Sequence, residues 1–247
     1  TSDNRVAVAE CYNDWQSGLD DKVTISGWGV DSSRYVKISV PLTERHDGRA
    51  RDAGVYTGFT IRPTAGNATV IDIKNTANYT QVDGVVVDLN QQWGLGGIGT
   101  TYPYAGQSAV ISNCIVFNGL PEDTIAFSSG AGGQGSRFVN CLAYDCATGF
   151  DSGNSSFGYF YNCSAVDSTR GFYKGGDSAG TVYTNCLYSG SGIGFSAGTA
   201  SNITNYHCAS SDATADDFGG TGNRASQTFT FRNSAVDDFR LAASDTG

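Results

Sequence analysis

The sequence predicts an all-β protein, a single-stranded right-handed parallel β-helix with about 22–23 residues per coil. Three observations carry this. Asn-Cys pairs recur at Asn113-Cys114, Asn140-Cys141, Asn162-Cys163 and Asn185-Cys186. A Gly-Phe pair follows each of the last three, at Gly149-Phe150, Gly171-Phe172 and Gly194-Phe195. The cysteines are 27, 22 and 23 residues apart, while the phenylalanines, from Phe127 to Phe218, are 23, 22, 23 and 23 apart, so two independent markers keep one period. Between the markers lie Gly, Ser, Thr, Asn, Tyr and Val, the residues of short strands and tight turns. A leucine-rich repeat needs a leucine ladder, and this stretch has Leu only at 120, 142 and 187.

In such a solenoid each coil returns one strand spacing higher, about 4.8 Å, so a residue type kept in register becomes a column. The columns are Asn113/140/162/185, Cys114/141/163/186 and Phe127/150/172/195/218. Asn tolerates the left-handed conformation of a bend, and its amide can bond the amide stacked above it. Cys suits a small inward position, and the ladder geometry with an odd total of cysteines favours buried free thiols over disulfides. Phe after Gly reads as a corner at which the backbone bends and rings stack. The residues before each Asn (Phe138-Val139, Phe160-Tyr161, Tyr183-Thr184) are apolar or aromatic on both sides, which leaves their orientation open.

The chain reads as one domain: an N-terminal cap and first coils over residues 1–60, regular coils over 61–218, and closing strands over 219–247. Its opening, Val6 to Tyr12, reads as a short capping helix or a first strand. Lys22 to Trp28 and Tyr35 to Val40 alternate with the period of half-buried strands. Pro41 to Val55 carries the densest charge cluster, with Glu44, Arg45, His46, Asp47, Arg49, Arg51 and Asp52, and reads as a solvated loop or as a partner-binding one. Val70 to Ile73 and Val82 to Asp88 continue the register upstream, with Gly84 where later coils place Asn. Trp93 to Gly106 reads as an excursion from the coil. Phe229 to Phe231 and Phe239 to Leu241 read as two closing strands.

Net charge of -9 argues against nucleic acid or an anionic membrane surface as a partner, since both need a basic footprint. No run of about 18 apolar residues is present to span a bilayer, and no signal-peptide pattern opens the sequence. Gly94-x-Gly96-x-x-Gly99 and Gly130-x-Gly132-x-x-Gly135 match a dinucleotide fingerprint, but no helix-forming run follows either. Cys141 and Cys146 have no second pair and no nearby His, which argues against zinc. Neither His46 nor His207 stands in a hydrolase motif. Asn67, Asn78, Asn154, Asn162 and Asn202 are sequons expected by chance in such a composition, and Asn162 is assigned to the buried column.

One constellation carries chemistry. Asp145 and Asp167 occupy the same repeat position, four residues after their Cys, with Asn118 and Gly190 equivalent in flanking coils. Stacked carboxylates near Asp151, Arg170, Lys174 and Asp177 can hold Ca²⁺ or share a proton, and the basic neighbours can stabilise a uronate. Against that stands an exposed polar corner, in which water keeps both carboxyls ionised. No other cofactor is expected.

The repeat and the closing Asp237 to Gly247 (DDFRLAASDTG) resemble the right-handed parallel β-helix superfamily that contains pectate lyases and phage tailspikes. More narrowly, Glu10 to Trp15 (ECYNDW), GLDDKVTISGW and VPLTERHDG look like β-helix proteins encoded in environmental bacteriophage genomes. That resemblance implies a virion component, a capsid decoration or a tail or fibre part. Its partners would be other virion proteins, a second copy, or a cell-surface glycan. The polygalacturonase NTD, DD, GHG and RIK motifs have no counterpart here, and neither does a lyase set of calcium carboxylates plus catalytic arginine. A non-enzymatic surface protein is therefore expected first, and a polysaccharide lyase or glycoside hydrolase second.

Overall fold

The computed structural model describes residues 5–74, 79–101, 109–130, 135–153, 157–176, 180–199 and 202–245. Three parallel sheets, A, B and C, hold eight, seven and seven strands, and neighbours in each sheet come from successive coils. The fold is a parallel β-helix. Within a coil the chain forms an A strand, turns through one residue, forms a B strand, rounds a corner and forms a C strand. Thus Ile111 pairs with Phe138, Phe138 with Phe160 and Phe160 with Tyr183 along sheet A.

The one-residue turn between A and B explains the Asn column. Asn113, Asn140, Asn162 and Asn185 all have φ of 51 to 53°, with Gly84 at 82° before them and His207 at 53° after them. Asn and Gly reach that region at least cost. Asn140 Nδ2 donates to Asn113 Oδ1 at 3.3 Å and Asn185 Nδ2 to Asn162 Oδ1 at 3.2 Å. Asn162 is exposed at this corner rather than buried, because a one-residue turn points its side chain outward.

Inside, Phe127, Phe150, Phe172 and Phe195 stack with centroids 4.8 to 4.9 Å apart. A second ladder, Phe138, Phe160 and Tyr183, stacks on sheet A at 4.9 and 5.0 Å. The two meet edge to face, as Phe150 and Phe160 do at 5.7 Å. Sheet B makes room: the inward residues opposite are Ala143 and Ala165. Gly149 serves this packing and no bend, since a Cβ there would lie 2.8 Å from the Gly171 carbonyl and 3.0 Å from Ala165 Cβ. Phe218 leaves the ladder and packs on the core from the closing segment. In the earlier coils the same column holds Ile98 and Ile71.

The Cys column is buried, and Cys208 extends it. Each thiol bonds the carbonyl two residues back, from Cys114 to Ser112 at 3.1 Å through Cys208 to Tyr206 at 3.5 Å. Burial pushes the Cys114 and Cys163 thiols up, and Cys146, buried beside the corner, up to about 12. All seven cysteines are free thiols, and Cys11 alone is only half-buried. Alkylation of the native protein is expected to modify Cys11 alone, and all seven after denaturation. Rapid native labelling of Cys141 or Cys163 would contradict the column.

Several expectations need correction. Of the two readings of the opening segment the first strand holds and the capping helix does not: β1 (Ala7–Glu10) pairs with β3 (Val36–Ser39), and between them in sequence lies β2 (Val23–Ile25) of sheet C. Among the described residues the only helical turn is the 3₁₀ segment Ser234–Val236. Leu95–Thr101 is a full strand of sheet C and no excursion, and the rest of the expected excursion, residues 102–106, lies outside the described residues. The Gly94 fingerprint therefore opens a strand. Phe231–Asn233 and Asp238–Leu241 pair as an antiparallel hairpin and do not close the solenoid. They cover the outside of sheet B with Phe231 and Phe239, over Val86, Ile115, Leu142 and Tyr144. The C-terminal end is closed instead by residues 211–228: Thr204 bridges Gly219, Ala209 bridges Arg224, and Phe195 N–H donates to Thr214 Oγ1 at 2.8 Å.

Candidate functional site

Asp145 and Asp167 stand on adjacent coils at the corner between sheets B and C, since Tyr144 pairs with Val166 immediately before them. Both adopt the left-handed conformation, at φ 51° and 48°, as does Asn118 one coil earlier at 59°. The backbone ladder continues through them: Asp145 N–H donates to Val166 O at 3.2 Å and Asp167 N–H to Ser189 O at 2.8 Å. Asp is tolerated here for the reason Asn is tolerated at the other corner. The two carboxylates line a shallow depression of about 280 Å³ with Gln91, Asn118, Gly119, Pro121 and Cys146.

Partial desolvation raises the pKa of Asp145, and the charges of Asp167 and Asp237 add to the shift. Desolvation raises Asp167 as well. Both residues are nonetheless exposed, as the polar corner was expected to be. The basic residues are not brought to the pair. Arg170 lies over the ring of Tyr173, 4.3 Å from its centroid. Lys174 is fully buried inside the solenoid, with Nζ donating to the Gly153 carbonyl at 2.9 Å. Asp151 is also raised by burial and accepts from Gly153 N–H at 2.7 Å. Asp177 lies outside the described residues, as do sequons Asn78 and Asn154. Among the described residues no group of three or more His, Cys, Asp or Glu side chains is arranged to hold a metal ion.

The charge cluster of Pro41 to Val55 is only partly solvated: Asp47 and residues 52–55 are exposed, while Arg45, His46 and Arg51 turn onto the coils. It is a strap fastened across the solenoid. Arg45 pairs with Asp83 at 2.7 Å and donates to Val40 O at 2.9 Å. His46 is held neutral by burial, which lowers its pKa; its Nε2–H donates to Asn113 O at 2.7 Å while Nδ1 accepts from Gly48 N–H at 3.2 Å. Arg51 lies between the rings of Tyr56 and Phe117, 5.0 and 4.9 Å from their centroids, and pairs with the fully buried carboxylate of Asp88. Asp88 also accepts from Tyr56 Oη at 2.5 Å, Asn118 Nδ2 at 2.7 Å, Asn90 N–H at 2.8 Å and Arg62 Nε at 3.3 Å. Burial, then the bond to Asp88, pushes the Tyr56 hydroxyl up to about 12.

This hub escaped sequence reasoning. The one signal was Asp88 itself, a carboxylate ending the apolar run VDGVVVD, where a buried charge requires a partner. Fold and sites thus define a parallel β-helix in which Arg45, Arg51, Arg62 and Arg240 are paired with carboxylates of the chain itself. No protein-family model matches the chain, and no curated protein sequence matches it significantly.

Proposed function

We propose that this chain is a non-enzymatic structural protein exposed on the surface of a bacteriophage virion, as a capsid decoration or as a tail or fibre component. The observation that carries the reading is the disposal of its charged groups. Arg45, Arg51, Arg62 and Arg240 each pair with a carboxylate of the chain itself. The resemblance of ECYNDW, GLDDKVTISGW and VPLTERHDG to β-helix proteins of environmental phages supplies the location. Stacked coils with a buried aromatic ladder suit a particle exposed to heat and protease. Mass spectrometry of purified particles is expected to find the chain as a stoichiometric component. Its absence from particles of a phage that encodes it would overturn the reading.

One observation favours a second reading, a polysaccharide lyase or glycoside hydrolase. Asp145 and Asp167 are stacked, raised in pKa and beside a depression, and a retaining hydrolase places two carboxyls about 5 Å apart. The separation of Arg170 and Lys174 from that pair weighs against it, because uronate chemistry needs a cation at the carboxylates. Incubation with acidic and neutral glycans is expected to release neither reducing ends nor unsaturated uronate. Turnover that disappears in Asp145→Asn would establish the enzyme instead.

A further inference from the structure

The two ends of the solenoid are finished differently. At the C-terminal end residues 211–228 bond the last strands of all three sheets, as described above. At the other end β1 is the outermost strand of sheet A and β2 that of sheet C, and no described strand lies beyond them. The N–H groups of Ala7 and Cys11 donate to Tyr35 O and Ser39 O at 2.9 and 3.0 Å. By strand alternation the N–H groups of Val8 and Glu10 point the other way, to the open edge. Ala9, in register with the buried Ile38, faces the interior and is nonetheless exposed. Around this end stand Val8, Tyr12, Trp15 and Trp28, exposed by 53, 48, 58 and 51 %. An open strand edge with exposed aromatic residues is a template for pairing, and Trp and Tyr are enriched where proteins meet.

We infer that this end is the interface of a head-to-head dimer, in which β1 pairs antiparallel with β1 of a second copy. Three arguments select a second copy. A head-to-tail contact would need an open C-terminal end, and that end is closed, so only an isologous contact joins two copies through this edge. A two-fold axis normal to sheet A, midway between the two β1 strands, pairs them antiparallel and continues sheet A of one copy into sheet A of the other. The register centred on Val8 keeps inward residues opposite inward ones: Ala7 faces Ala9 of the second copy, and Val8 faces Val8. Two small residues facing two small residues let the interiors join without a clash.

The inference does not depend on a place in a virion, because it concerns the isolated chain. Sedimentation equilibrium at micromolar concentration is expected to give a dimer. Val8→Pro removes only an N–H that points to the open edge, so it preserves the pairing with β3 and is expected to give a folded monomer with unchanged circular dichroism. Trp emission is expected to shift to the red on dilution of the wild type and not of the variant. A monomeric wild type, a trimer, or a dimer that survives Val8→Pro would each overturn the interface. Should Val8→Pro fail to fold, Val8→Lys decides, since its side chain points outward and places two ammonium groups opposite each other at the axis.

Discussion

Replacing Arg51 by leucine lowers stability by about 3–5 kcal/mol, the usual cost of leaving one member of a buried ion pair without its partner. For a chain of this size that is a fall in Tm of roughly 6–20 °C. The size follows from Asp88, whose carboxylate is fully buried and keeps only Arg62, 3.3 Å away, as a counter-charge once Arg51 is gone. Leucine still fills space between Tyr56 and Phe117, so the loss reports the charge rather than a cavity. Arg51→Lys keeps a charge but forfeits the planar stacking between the two rings, and an intermediate loss is expected. Hydrogen exchange should show protection falling first in the strap, residues 41–58, because Arg51 is its main anchor to sheet B. A thermal shift of one or two degrees in Arg51→Leu would mean that the hub is solvated and the strap held by other contacts.

The fold was legible because a solenoid writes its geometry as a period. Asn at the left-handed turn and Phe in the ladder recur for reasons local to each coil, so one sequence shows the same constraint four times. What was illegible occurs once. The strap, the outer hairpin and the open first coil belong to no repeat, and their contacts join residues far apart in sequence, such as Arg51 with Asp88 and Arg240 with the carbonyl of Asp47. Orientation within an aromatic pair was likewise open: Phe160-Tyr161 offers two rings, and only the register shows that Phe160 faces inward. The glycines before each Phe looked like bends because Gly usually marks them, whereas here they admit the neighbouring sheet. Of the candidate site, the stacking of Asp145 on Asp167 followed from the period. The burial of Lys174 did not, since nothing in its spacing separates a Lys on a corner from a Lys inside the coil.

Phe150→Ala should be among the most damaging single truncations in the core, costing about 3–5 kcal/mol. The ring stacks on Phe127 and on Phe172, each at 4.9 Å, and meets Phe160 edge to face at 5.7 Å, so its removal opens a hole bounded by aromatic faces on three sides. Stacked rings cannot slide into that hole without leaving their own register, because each is fixed to a strand paired above and below. The opposite wall cannot swell to fill it either, since sheet B presents Ala143 and Ala165 there. Phe195→Ala, at the end of the ladder, loses one stacked neighbour, at 4.8 Å, and lies beneath a closing segment that can settle toward it. Its expected cost is about 2 kcal/mol less, the worth of one stacking contact together with a cavity that partly collapses. A double-mutant cycle between Phe150 and Phe172 should return a coupling of about 1 kcal/mol, while Phe127 with Phe195, three coils apart, should be additive. Urea denaturation of the wild type, the four single variants and the two double variants measures all of this. Equal costs at Phe150 and Phe195, with no coupling between neighbours, would mean that each coil holds its own ring and that the ladder is a repeat without cooperativity.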